Sequence, residues 1–194
     1  MTGLPLRQLV PQRGSILDGG DSRQLQFEQL ALVHLRALLR AAVRLARDVS
    51  VAEDLVQEAM LRAWRHFDRF QPGTNCKAWL FRIMLNCWST RHQQIRQEAI
   101  QFFPEQYADN IGGEKAPAAR FSAEEIQNSI DLLNEDYRTV LILFAVEGFS
   151  CKEIAEILSV PIGTVMSRLS RARTQVRDDL VKREARYMKA KARL

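Results

Sequence analysis

The stretch from Ser150 to Val176 narrows what this chain can fold into more than any other. Ser150 and Glu153 have the spacing of a capping box, in which each side chain satisfies a backbone donor left open at a helix start. A short helix through Leu158 is predicted next, then a tight turn, Ser159-Val160-Pro161-Ile162-Gly163. Thr164 is placed to cap a longer helix that runs past Leu180. Within it Val165, Leu169, Ala172 and Val176 recur at three or four residues and must face a core. Met166, Ser167, Ser170, Arg171 and Thr174 are left outward, flanked by Arg168, Arg173 and Arg177. Short helix, turn and longer helix make a helix-turn-helix, whose second helix can enter the major groove of DNA. Hydroxyls and arginines near a helix N-terminus suit phosphate and base-edge contacts. The competing reading is a plain helical hairpin whose arginines are merely solvated.

The rest of the chain also reads as helix. Residues 25–47 repeat apolar positions at helical spacing, with Leu35, Leu38, Leu39, Ala42 and Leu45 on one stripe. Arg36, Arg40, Arg44 and Arg47 line another face, which could meet a polyanion but is expected to be solvated. Ser50 with Glu53 has capping-box spacing, and Leu55, Val56, Ala59, Met60, Ala63, Trp64 and Phe67 then form a broad apolar face. Gln71-Pro72-Gly73-Thr74-Asn75 breaks the chain, and Thr74 or Asn75 can cap a helix over about 76–97. Its buried stripe is Cys76, Trp79, Leu80, Ile83, Met84 and Cys87, while Phe81 and Trp88 fit either side. Periodicity fails from about 98 to 120, where Pro104, Gly112, Gly113 and Pro117 mark a linker. Leu132 to Val146 is strongly apolar and stops at Gly148. The expected fold is all-α: a three- to four-helix bundle over 25–97 and a helix-turn-helix domain over 121–182, joined by a flexible linker. Residues 1–24, with Pro5, Pro11, Gly14, Gly19 and Gly20, read as a flexible leader, and 183–194 as a basic tail.

Charge and cysteine usage bound the function classes. The formal net charge is +5, which mildly favours a polyanionic partner. Lys182, Arg183, Arg186, Lys189, Lys191 and Arg193 against Glu184 account for that excess, so the remainder is neutral on balance. Cys76, Cys87 and Cys151 are far apart, with no CxxC pair and no histidine at ligand spacing. A zinc site or disulfide scaffold is therefore disfavoured, buried thiols in a reducing cytoplasm fit, and no metal or cofactor is expected. His34, His66 and His92 are isolated. No paired carboxylates, nucleophile–base constellation or phosphate-cradling glycine loop is present, so an enzyme is not expected. The first residues lack the apolar core of a signal peptide, and Val140 to Val146, the longest apolar run, is far short of a membrane span.

Three blocks together closely resemble extracytoplasmic-function (ECF) sigma factors of the sigma-70 family: AEDLVQEAMLRAW (52–64), PGTNCKAWLFRIMLN (72–86) and YRTVLILFAVEGFSCKEIAEILSVPIGTVMSRLSRAR (137–173). The resemblance runs over roughly 25–182 in the right order. It implies a non-enzymatic initiation factor that binds core RNA polymerase through the β′ clamp and β flap and reads promoter DNA. Control by an anti-sigma factor, a role in a stress response and a cytoplasmic location, nucleoid-associated with polymerase, are further implications. The polymerase-docking positions implied are Asp54, Gln57, Glu58, Leu61, Arg62 and Arg65. Those implied for the −10 element are the loop at Gly73, Thr74 and Asn75, then Lys77, Arg82, Asn86, Ser89, Thr90 and Arg91. The −35 element falls to Thr164, Met166, Ser167, Arg168, Ser170, Arg171 and Arg173. Some relatives carry arginine where Met166 stands, which leaves the −35 preference open.

Chemistry agrees with this division, because flipped bases need polar pockets and a single strand needs a cationic track. With about four phosphates neutralised, affinity falls about 100-fold between about 50 and 200 mM salt, so the free chain is expected to bind promoter DNA poorly. Polymerase would space the two modules and multiply their affinities. A homodimeric helix-turn-helix repressor or activator would leave the first two blocks without a role. A sigma mimic that only sequesters an anti-sigma protein could dispense with Asn86, Ser167, Arg168 and Arg171, all present here. A metal-binding redox sensor lacks ligand spacing.

Overall fold

A computed structural model describes residues 19–99 and 121–191, with no strand among them. The expected linker over 100–120 lies outside the described residues. Eight α-helices follow in chain order: α1 Gly19–Ala31, α2 Leu35–Ala46, α3 Val49–Arg65, α4 Cys76–Ala99, α5 Ala123–Asp131, α6 Glu135–Ala145, α7 Cys151–Leu158 and α8 Ile162–Lys191. No helix among the described residues is long and apolar enough to cross a membrane.

The first module, α1 to α4, departs from the sequence reading at three places. The helix expected over 25–47 is two helices joined by a 3-10 turn at Leu32–His34, and the first begins at Gly19, inside the expected leader. The predicted Ser50–Glu53 capping box does not form. Asp48 is the N-cap instead, its carboxylate accepting from the Val51 N–H at 2.9 Å. Asp48 takes that role because Arg47 closes α2 in the left-handed region (φ 59°), which leaves one extended residue to turn the chain into α3. Of the expected α2 stripe, Leu38, Ala42 and Leu45 are buried, Leu39 is half-buried and Leu35 is exposed.

Phe27 of α1 is pinned between Trp64 and Phe67, with edge-to-face ring centroids at 5.2 and 5.1 Å. Such pairs add about 0.5–1.5 kcal/mol beyond the area they bury. In α4, Phe81 and Trp88, which fitted either side on sequence, are buried with Leu80, Met84 and Cys87, whereas Trp79 and Ile83 are half-buried.

In the second module α5 opens with a capping box not predicted from sequence, Ser122 and Glu125. Ser129, buried on α5, donates to Asp179 of α8 at 2.7 Å, and Arg183 donates to the same carboxylate. These bonds hold the Asp179 carboxyl below the usual carboxylate range, the Ser129 hydroxyl first. The α8 helix continues to Lys191, so residues 183–191 of the expected tail extend the last helix.

The modules are not independent beads. Buried side chains of both form one continuous core, with α6 seated on α2 and α7 on α4. Phe149, just past α6, meets Phe81 of α4 edge-to-face at 5.1 Å.

Candidate nucleic-acid interface

The helix-turn-helix is built as its sequence dictates, with one correction. Ser150 and Glu153 form the capping box reciprocally: the Glu153 N–H donates to Ser150 Oγ at 3.2 Å and the Ser150 N–H donates to Glu153 Oε2 at 2.9 Å. The Ser150 backbone N–H is the first cause of a lowered Glu153 pKa, followed by the Ser150 hydroxyl. Gly148 ahead of the box has φ +75°, a conformation open to glycine at little cost. Ser159 ends α7 in the left-handed region at φ 56°. Thr164, expected to cap the last helix, lies inside its first turn, because α8 begins at Ile162 and Pro161 accepts from the Thr164 N–H. Pro161 stands just before the helix, where its carbonyl accepts the first backbone bonds, from Thr164 and Val165.

Val165, Leu169 and Ala172 are buried and Val176 is half-buried, as the spacing requires. Their burial turns Met166 (59% exposed), Ser167, Ser170 and Arg173 to solvent, with Thr164, Arg168 and Arg171 half-buried at the margin. The arginines are held in place. Arg168 pairs with Asp136 at 2.6 Å, Arg171 donates to the Tyr137 hydroxyl at 3.4 Å, and the Arg173 guanidinium lies 4.9 Å from the Phe144 ring centroid. One helix face thus carries hydroxyls, an exposed thioether and restrained guanidinium groups, a set able to contact phosphates and base edges.

The first module presents two further faces. On α3, Asp54, Gln57, Leu61 and Arg65 are exposed, and Glu58 pairs with Arg62 one turn on. Leu61 and Gln57 border an apolar groove of about 490 Å³ between α1, α2 and α3, floored by Phe27, Val56, Met60 and Trp64. On α4, Arg82, Asn86, Ser89 and Thr90 are exposed along one side. Thr90 donates to the Asn86 carbonyl, and Arg91 lies 4.0 Å from Asp54.

Of the two candidate caps, Asn75 is the one that caps α4, accepting from the Ala78 N–H at 3.0 Å. Thr74 turns back to the Gln71 carbonyl at 2.7 Å, and Gly73 has φ +87°. Asn75 and Lys77 already have partners in the second module, which their own helix pattern did not signal. Asn75 donates to Glu153 at 2.9 Å and Lys77 bonds the carbonyl and carboxylate of Glu147. Arg40 and Arg47, expected on a solvated face, pair with Glu147 and Asp131. No local pattern pairs residues this far apart in sequence.

Burial raises the Cys76 and Cys87 thiols, and no group of histidine, cysteine and carboxylate among the described residues could hold a metal ion. His34 is lowered by burial and by Lys77. The His92 side chain lies outside the described residues.

Both modules match known families. Residues 30–98 match sigma-70 region 2, and 123–176 match sigma-70 region 4. Among curated relatives, the chain is 36% identical over 146 residues to the ECF RNA polymerase sigma factor EcfG of Rhodopseudomonas palustris, covering 75% of this chain and 78% of that one. It is 28% identical to the ECF RNA polymerase sigma factor SigW of Bacillus subtilis, covering 90% and 98%. Among solved structures, the sigma factor RpoE in complex with the anti-sigma factor NepR from Bartonella quintana superposes with a TM-score of 0.63 at 34% identity, covering 80% of this chain and 96% of that one. CnrH in complex with the cytosolic domain of CnrY superposes at 0.59 and 26%, covering 82% and 90%. Two helical modules in this order, each matching its own region, place the chain in the ECF group of sigma-70 family sigma factors, which are transcription initiation factors and not enzymes.

Proposed function

We propose that this chain binds core RNA polymerase through α3 and directs it to promoters by reading a −10 element with α4 and a −35 element with α8. The observation that carries the proposal is the outward face of α8. Buried Val165, Leu169 and Ala172 fix its rotation, and Thr164, Met166, Ser167, Arg168, Ser170, Arg171 and Arg173 lie at or beside the surface left open. A thioether in that row suits an apolar contact such as a thymine methyl. Acidic and polar groups around Leu61 and the adjoining groove suit basic partner helices with one apolar anchor. The β flap is the expected second contact on polymerase. The similarity to sigma factors solved with NepR and CnrY supports control by an anti-sigma factor.

Run-off transcription with purified core polymerase over a promoter library tests the reading. The wild type should select start sites. Arg171→Glu should weaken −35-dependent initiation while leaving polymerase binding intact. Asp54→Arg with Glu58→Arg should abolish polymerase binding and leave the helical circular-dichroism spectrum unchanged. Loss of polymerase affinity in Arg171→Glu would overturn the division of labour, and a wild type that selects no start sites would overturn the function.

A further inference from the structure

We infer that Asp136 is a positioning residue for promoter recognition, holding the Arg168 guanidinium at the outward face of α8 and repelling DNA that offers it only phosphates. The inference rests on the proposed reading of −35 DNA by α8. Asp136 stands in the first turn of α6, which Asn134 fixes by accepting from the Tyr137 N–H at 2.9 Å. From there its Oδ2 accepts from Arg168 Nη2 at 2.6 Å, across 32 residues of sequence. Its neighbour Tyr137 offers a hydroxyl to Arg171, nearly one turn further along α8, and the Phe144 ring lies 4.9 Å from the Arg173 guanidinium. Tyr137 is itself buried with Leu133 and Ala172. The α8 arginines are thus steadied from α6, and of these three fixtures Asp136 is the charged one.

Stability does not account for the carboxylate. The Asp136 side chain is 60% exposed and that of Arg168 25%, and exposed ion pairs add little to stability. Beside DNA the same charge is unfavourable, since it faces phosphates of its own sign. Its effect on sequence choice is different. A free guanidinium serves any phosphate, whereas one tethered on one side keeps its other N–H donors in a single orientation, which base edges require and phosphates do not. Discrimination is a difference of two affinities, and Asp136 lowers the affinity for the wrong sequence more than for the right one. An acid in the first turn also complements the dipole of α6, a role that would act alike on every DNA.

Holoenzyme reconstituted from core polymerase and the full-length chain would be titrated at fixed salt with two promoters. One carries the −35 sequence that run-off selection returns, the other is scrambled there, and the readout is the ratio of the two affinities. Asp136→Asn should lower the ratio about tenfold, the discrimination that one arginine–base contact supplies, while binding to the scrambled promoter holds or tightens. Asp136→Glu keeps the charge and should retain most of the ratio. Glu124→Gln removes an exposed acid of α5 and should leave the ratio unchanged. In an Arg168→Ala background, Asp136→Asn should lower the ratio no further. Equal binding of every variant to core polymerase shows that each is folded, and a loss confined to Asp136→Asn would assign Asp136 to the polymerase and overturn the inference. An unchanged ratio in Asp136→Asn, or a fall that persists without Arg168, would overturn it too. If Arg168→Ala itself keeps the wild-type ratio, the −35 assignment of Arg168 falls and the inference with it. If Arg168→Ala lowers the ratio and Asp136→Asn does not, the −35 reading stands and the role of Asp136 alone is refuted.

Discussion

Replacing Ser150 by alanine tests whether the capping box holds the helix-turn-helix together, and the size of the effect follows from the hydrogen bonds it deletes. The substitution removes the acceptor of the Glu153 N–H and the hydroxyl that donates to Glu153 at 2.8 Å, but spares the bond from the residue 150 N–H to Glu153. Losing a serine cap costs about 0.5–2 kcal/mol, and with the reciprocal arm intact about 1 kcal/mol is expected. Because both modules share one core, the chain should unfold as a unit, and about 1 kcal/mol then lowers Tm by about 2–4 °C.

The effect has a pH signature. Glu153 titrates below its ordinary 4.5 in the folded chain, so its stabilising contribution is full above that value and is lost as pH falls through the lowered one. Alanine removes the hydroxyl part of that depression. The Tm gap between wild type and Ser150→Ala should therefore be widest near neutral pH and narrow below about pH 4. Thermal melts followed by circular dichroism at both extremes measure it. A gap that is absent at neutral pH, or equally wide in acid, would refute the reasoning.

Other perturbations probe the same scaffold. Ile154, fully buried in α7, should cost about 2–5 kcal/mol when cut to alanine, measured by urea unfolding, and should weaken promoter binding only in proportion to the unfolded fraction. Ser159→Gly relieves a left-handed serine at the end of α7 and should raise stability by about 0.5–1 kcal/mol in the same assay, the relief exceeding the entropy glycine adds to the unfolded chain. Phe27→Ala removes the ring that Trp64 and Phe67 enclose and should cost about 3–5 kcal/mol, with a matching loss of near-ultraviolet tryptophan signal.

Much of this protein is legible in its residues, because the decisive signals are local. Three- and four-residue spacing told Val165, Leu169 and Ala172 from Met166, Ser167 and Ser170, since a helix has only one buried side when it packs on one core. Ser150 and Glu153 cap one another because they are a turn apart, and Gly148 and Pro161 mark chain reversals by their own backbone limits.

The failures fell where two local solutions competed. Asp48 displaced Ser50 as cap once Arg47 adopted a left-handed conformation that no propensity favours, and Thr164 gave way to a start at Ile162. Lengths misled as well, since α1 begins before the apolar pattern does and α8 continues through a run that reads as a basic tail. Only tertiary structure could bring Glu147 to Arg40 and Lys77 or Glu153 to Asn75. Those partners lie 107, 70 and 78 residues apart in sequence, beyond the reach of any periodicity. An arginine facing solvent on its own helix looks the same in sequence as one waiting for a carboxylate, and packing between the modules decides which it is.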